Sequence, residues 1–227
     1  MEVPILPPTS GPQTSHEPMS SSAASGSSVS SSPVSSSPVE PLEGQPQILM
    51  VCTGNICRSP AAELLLAAAL GPHAGVRVAS AGTHAVVGAP VHPPMANLLG
   101  AAGTPFGAFL ARQLTAGLVR ESALLIAMTR RHRGHVVELA PAAVRRTFTY
   151  RELARFADVV APNLPAGTPA ERLSALIPLA AAQRGRVPVD PGDDDIDDPY
   201  QRGDAAYARA FAQVSEATAS LARALLG

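Results

Sequence analysis

Cysteine is scarce in this chain of 227 residues, which has only two, Cys52 and Cys57. Two thiols this close in sequence cannot brace a small secreted scaffold. A disulfide framework is therefore excluded, and a reducing compartment, the cytoplasm, is the expected setting. An excess of charge of one sign is also lacking: the formal net charge is -1, so there is no basic footprint for nucleic acid and no such partner is expected. Long apolar runs are missing, because charge, Pro or Gly interrupts each one, so neither a membrane span nor a membrane partner is expected. The stretch from Met1 to Leu6 has no basic n-region and no long apolar h-region, and does not read as a signal peptide. Large apolar residues are few in the first 46 positions, where Ser and Pro dominate. Such a segment cannot offset the entropy of ordering, so 1–46 is expected to be a disordered extension. Residues 47–227 remain, enough for one domain with a single core.

The stretch Cys52-Thr53-Gly54-Asn55-Ile56-Cys57-Arg58-Ser59-Pro60 carries the chemistry. The apolar run Ile48 to Val51 before it reads as a buried strand. Ser59 and Pro60, followed by Ala61 to Leu66, read as an N-cap, a first-turn proline and a helix. The loop thus joins a strand end to a helix start, where unpaired N–H groups and the helix macrodipole favour an anion. Thr53, Gly54, Asn55, Ile56, Cys57 and Arg58 are the candidate phosphate cradle, with consecutive N–H groups turned inward. The same field favours the thiolate form of Cys52. Arg58 can grip two phosphate oxygens with its planar fork. Gly54 and Asn55 tolerate positive φ, which lets the loop curl.

At these residues the chain resembles the low-molecular-weight protein tyrosine phosphatase family, whose signature is a Cys-x5-Arg-Ser loop between the first strand and first helix. Ser80-Ala81-Gly82-Thr83, Ala111-Arg112-Gln113-Leu114 and Asp198-Pro199-Tyr200 match further family segments in the right order. The resemblance runs over about 47–227, more weakly over 162–192. It implies hydrolysis of phosphotyrosine or aryl phosphate monoesters through a phosphocysteine, with no cofactor. The substrate partner would be a phosphotyrosine-bearing protein or a small aryl phosphate. Cys52 would be the nucleophile, Arg58 the clamp on the transferred group, and Asp198 the acid that protonates the leaving group and then activates water. Asn55, Ser59 and Ser80 would support the loop, and Tyr200 would wall the substrate ring. Cys57 would protect the nucleophile as a reversible disulfide partner, or else simply fill the helix base. The Asp193 to Asp198 run holds the proposed acid; its rival readings are a solvated acidic loop or a weak cation site.

The rest of the chain alternates strand and helix. Strands are predicted over 76–80, 123–128 and 146–149, and helices over 95–102, 131–139, 150–156, 170–182 and about 204–226. That alternation predicts an α/β fold with three layers: a four-stranded, twisted parallel sheet covered by helices on both faces, with the phosphate loop after the first strand. Arg130, Arg131 and Arg133 read as a solvated helix face. His132 and His135 lack Cys or carboxylate neighbours and read as surface groups, so no metal is expected.

Three positions depart from the family pattern. Phe109 stands where a His often supports the loop Asn, the segment His84 to Gly88 offers no aromatic wall, and Ala123 replaces a common acidic residue. Two rival functions share the fold: an arsenate reductase using a small-molecule thiol, and an attenuated phosphate-binding module. No Cys follows Cys57, so a downstream cysteine relay is excluded, and the retained Asp198 and Tyr200 favour phosphate monoesters. An aspartate-nucleophile phosphatase does not fit the Asp run, which lacks a preceding apolar strand.

Overall fold

Strand β1, Gln47–Cys52, is buried along its whole length. Its side chains alternate between two cores: Ile48, Met50 and Cys52 enter one, while Leu49 and Val51 enter the other. A strand apolar on both faces reads as an uninterrupted hydrophobic run because it has no solvent side. The computed structural model describes residues 44–187 and 189–227. Most of the Ser/Pro-rich extension, 1–43, lies outside the described residues, as does Pro188.

The sheet has four strands in the order β2-β1-β3-β4, with β2 at Arg77–Gly82, β3 at Leu124–Ala127 and β4 at Thr147–Thr149. All pairings are parallel. From β1 the chain crosses through α1, Arg58–Leu70, to β2 on one side, and later enters β3 on the other side. A crevice opens at the carboxyl end of β1, where the two directions of winding part.

The larger core takes side chains from α1, α2 (Pro93–Ala101), α5 (Tyr150–Val160), α6 (Pro169–Ala181) and α7 (Asp204–Leu226). Along α7, Tyr207, Ala210, Val214, Ala217, Leu221 and Leu225 are buried at helical spacing, and this stripe packs on α1 and α5. The smaller core receives Val119 of α3 (Ala116–Glu121), Val136 of α4 (Arg130–Leu139) and Ala143. Helices therefore cover both faces.

Each predicted strand and helix occurs, with ends moved by a few residues at most, except α5, which continues past Phe156 to Val160. α3 has six residues, too few for apolar periodicity to reveal. Thr149 with Glu152, and Thr168 with Glu171, form complete capping boxes at α5 and α6, each satisfying two otherwise orphaned N–H groups. One expectation fails at α1, which starts at Arg58 with Cys57 at the N-cap and no side-chain cap bond. Ser59 lies inside the first turn, and its hydroxyl is drawn to Cys52 and Asn55 instead.

Candidate active site

The loop from Cys52 to Arg58 lines a cavity of about 230 Å3 together with His84, Val86, Asp198 and Tyr200. Cys52 Sγ lies 2.9 Å from Ser59 Oγ and accepts the Asn55 N–H at 3.3 Å. Two donors at one sulfur stabilise a thiolate, both as attacking group and as leaving group. Outside the regular elements, no described backbone carbonyl accepts from Gly54, Ile56 or Cys57 N–H. Donors left over at the start of a helix suit the oxygens of a bound phosphoryl group.

Asn55 gives the loop its shape. It has φ of 56°, a left-handed conformation that Asn adopts more readily than most residues. Its amide donates to Ser59 Oγ at 2.9 Å and Ser80 Oγ at 2.7 Å, while its Oδ1 accepts the Arg112 N–H at 2.9 Å. Ser80 donates onward to Glu63 at 2.5 Å, and burial pushes the Glu63 carboxyl above its ordinary range. The network thus closes without a side chain from position 109. Phe109 packs on the core instead, so the partner that a His there would bring is absent, and Asn55 is held by Ser59, Ser80 and the Arg112 backbone.

The Ala111 to Leu114 segment braces the neighbouring turn. Gln113 donates to Thr83 O at 2.9 Å and accepts the Ala85 N–H at 3.0 Å, and the Arg112 guanidinium donates to Ser80 O at 2.7 Å. Gly82 at the end of β2 is required by space, since a Cβ there would sit 2.3 Å from Thr53 O.

Arg58 is buried, donating to Ile196 O at 3.2 Å and pairing with Asp198 at 2.9 Å. The acidic run does not form a free solvated loop. Asp194 pairs with Arg155, Asp195 accepts the Arg130 N–H at the start of α4, and Asp197 faces Arg209 at 3.8 Å. With its neighbours directed elsewhere, Asp198 is the member of the run that joins Cys52 and Arg58 in the cavity. Among the described residues no cluster of His, Cys, Asp and Glu has the makings of a metal site.

Tyr200 stands half-exposed on the cavity wall, edge-on to His92 with ring centroids 5.5 Å apart. His92 stacks on Tyr207 at 5.6 Å and bonds its hydroxyl at 2.9 Å, and that hydroxyl lies 3.8 Å from Cys57 Sγ. Burial pushes the Cys57 thiol up to about 11, which keeps it protonated at neutral pH. Both cysteines are free. The segment after Thr83 supplies His84 and Val86, rather than a Trp, Tyr or Phe, to the wall.

His132 corrects the sequence reading. It is buried, not a surface group, with Nε2 2.8 Å from Thr53 Oγ and Nδ1 2.8 Å from Thr129 Oγ. Desolvation, with Arg58 nearby, lowers its pKa to about 4. Arg133 also leaves the predicted solvated face to pair with buried Glu152 at 3.1 Å. Glu63, His92, His132 and Tyr207 were not singled out as site residues from sequence. Glu63 lies on α1 close to the loop in sequence but matches no local pattern, and the other three reach the site from distant segments.

The description "Low molecular weight phosphotyrosine protein phosphatase" matches residues 47–166. The chain is 39% identical over 103 residues to the low molecular weight protein-tyrosine-phosphatase Etp of Escherichia coli K12, spanning 45% of this chain and 68% of Etp. It is 41% identical over 95 residues to Wzb of Salmonella typhi, spanning 42% of this chain and 62% of Wzb. Among solved structures, the tyrosine phosphatase AmsI of Erwinia amylovora superposes with a TM-score of 0.57 at 25% identity, covering 77% of this chain and 89% of AmsI. The YwlE arginine phosphatase of Geobacillus stearothermophilus superposes with a TM-score of 0.57 at 28% identity, covering 78% and 90%. These relatives carry phosphatase names and lend no support to a reductase reading. With its parallel sheet and a cysteine loop closing β1, the chain belongs to the low molecular weight protein tyrosine phosphatase family.

Proposed function

We propose that this phosphatase works on phosphotyrosine-bearing proteins through a phosphocysteine on Cys52. The observation that carries this reading is the meeting, in one cavity, of a doubly hydrogen-bonded Cys52 sulfur with the Arg58–Asp198 pair. Cys52 attacks phosphorus in line with the ester oxygen. Loop N–H groups and Arg58 hold the equatorial oxygens, where charge gathers in the transition state. The bound phosphate displaces Asp198 from Arg58, and the freed carboxyl, having taken up a proton from solvent, gives it to the leaving phenolate. It then takes a proton from the water that hydrolyses the phosphocysteine, releasing phosphate while Ser59 and Asn55 N–H receive the sulfur as thiolate. Ile56, Val86 and Tyr200 give the wall an apolar and aromatic character suited to an aryl group. Both cysteines being free thiols agrees with action in the cytoplasm. Among the described residues no helix is long and apolar enough to cross a membrane.

The test is turnover of an aryl phosphate. Cys52→Ser and Arg58→Ala are expected to abolish it with the fold retained. Asp198→Asn should slow it by about 10²- to 10⁴-fold, whereas Asp197→Asn, turned toward Arg209, should do far less. Full turnover in Cys52→Ser would rule out the covalent route, and a reversal of the two Asp effects would move the acid to Asp197.

A further inference from the structure

Thr53 borders the phosphate cavity and two further hollows, both of which include His132. Its hydroxyl meets one partner among the described residues, His132 Nε2 at 2.8 Å. On the far side of the ring, Nδ1 lies 2.8 Å from Thr129 Oγ, which also accepts the His132 backbone N–H at 3.2 Å as the N-cap of α4.

A neutral imidazole donates from one nitrogen and accepts at the other, so two directions satisfy this chain. With the ring proton on Nε2, Thr129 O–H donates to Nδ1 and Nε2–H donates to Thr53 Oγ. Thr53 is then left with a hydroxyl proton that no described residue accepts, beside a cavity lined by Cys52 and Arg58. A neutral ring is needed for this order, and the lowered pKa of His132 agrees with it.

We propose that the Thr129–His132–Thr53 chain fixes the Thr53 side chain as an extra O–H donor to a phosphoryl oxygen, with His132 as the positioning residue. This rests on the phosphatase reading, because it needs an anion in the cavity. Thr53 adds a side-chain donor to the backbone N–H groups of the loop and to the Arg58 fork. One such bond to a charged group corresponds to about 10- to 150-fold in affinity, or about 1.5–3 kcal/mol.

Competitive inhibition by inorganic phosphate is measured beside aryl phosphate kinetics in the full chain. Thr53→Val, at an exposed position, is expected to weaken phosphate inhibition by about tenfold or more, while Thr53→Ser keeps it near wild type. His132→Phe should weaken it to a similar extent, and the double variant Thr53→Val/His132→Phe should be no worse than the weaker-binding single variant. That lack of additivity is a readout that a purely structural role for His132 would not give. Phosphate inhibition within twofold of wild type in Thr53→Val would overturn the proposal, as would additive losses in the double variant. If His132→Phe does not fold, Thr129→Val, which removes the outer hydroxyl, takes its place under the same criteria. Failure of the phosphatase reading is distinguishable, since it would appear as turnover surviving Cys52→Ser.

Discussion

At the scale of single residues, the site separates two thiols by environment. Cys52 holds two donors at its sulfur. Cys57 sits at the N-cap of α1 beneath the Tyr207 hydroxyl and is pushed up to about 11 by burial. The protonated Cys57 does not compete as a nucleophile, but it can still trap an oxidised neighbour. We propose that peroxide converts Cys52 to a sulfenic acid and that Cys57 then displaces the hydroxyl as water, forming a disulfide that a reductant reopens. Wild type is thus expected to recover after mild peroxide and reductant. Cys57→Ser should recover less, with sulfinic or sulfonic mass on the Cys52 peptide. Equal recovery in the two proteins would leave Cys57 as a filler of the helix base.

At the scale of elements, the loop keeps its form because β2 and the Ala111 to Leu114 segment hold it from outside. Gly82 is where they come closest: its N–H donates to Arg112 O, its carbonyl accepts from Leu114, and a Cβ would strike Thr53 O at 2.3 Å. That obstacle is backbone, so no rotamer change relieves it. Gly82→Ala is expected to destabilise the fold by about 3 kcal/mol, the upper end of ordinary overpacking costs, and to lower kcat by displacing the loop. Gly107→Ala, with open space around it, should stay within about 0.5 kcal/mol. Urea denaturation of the two variants checks this, and similar midpoints would show that the β2 end yields more readily than its contacts imply.

At the scale of the whole molecule, polar contacts from half-buried and buried arginines tie the helices to one another. Glu152, at the start of α5, meets Arg133 of α4 and, at 3.7 Å, Arg184 beyond α6. Arg172 of α6 donates to Ala224 O near the end of α7 at 2.9 Å. α6 lies outside the span matched by the family description, yet it packs on α5 and α7 and so is part of the core. The first strand begins at Gln47, and the Ser/Pro-rich stretch before it has no apolar period with which to join a core. A chain starting at Gln45 is therefore expected to keep the Tm and kcat of the full protein. A marked fall in either would mean that the extension docks on the domain.

The sequence by itself determined most of the elements, α3 excepted, and the order of residue types in the loop. Apolar runs at β1 and β3 and the helical spacing of α7 are local signals, and Cys52 to Ser59 is one short segment whose residue types carry their purpose in their order. Ser80, the Arg112 segment and Asp198 were legible only through their likeness to a family, because nothing local ties them to Cys52. Tertiary structure alone decided the rest. It turned Ser59 from a cap into a partner of Cys52 and joined Asn55 to the Arg112 backbone, 57 positions away. It also buried His132 against Thr53, 79 positions away, and stacked His92 on Tyr207, 115 positions away. The physical reason is common to all of these. A hydrogen bond between distant segments depends on where two elements cross, and crossing geometry follows from packing of the whole core rather than from the residues on either side of the bond.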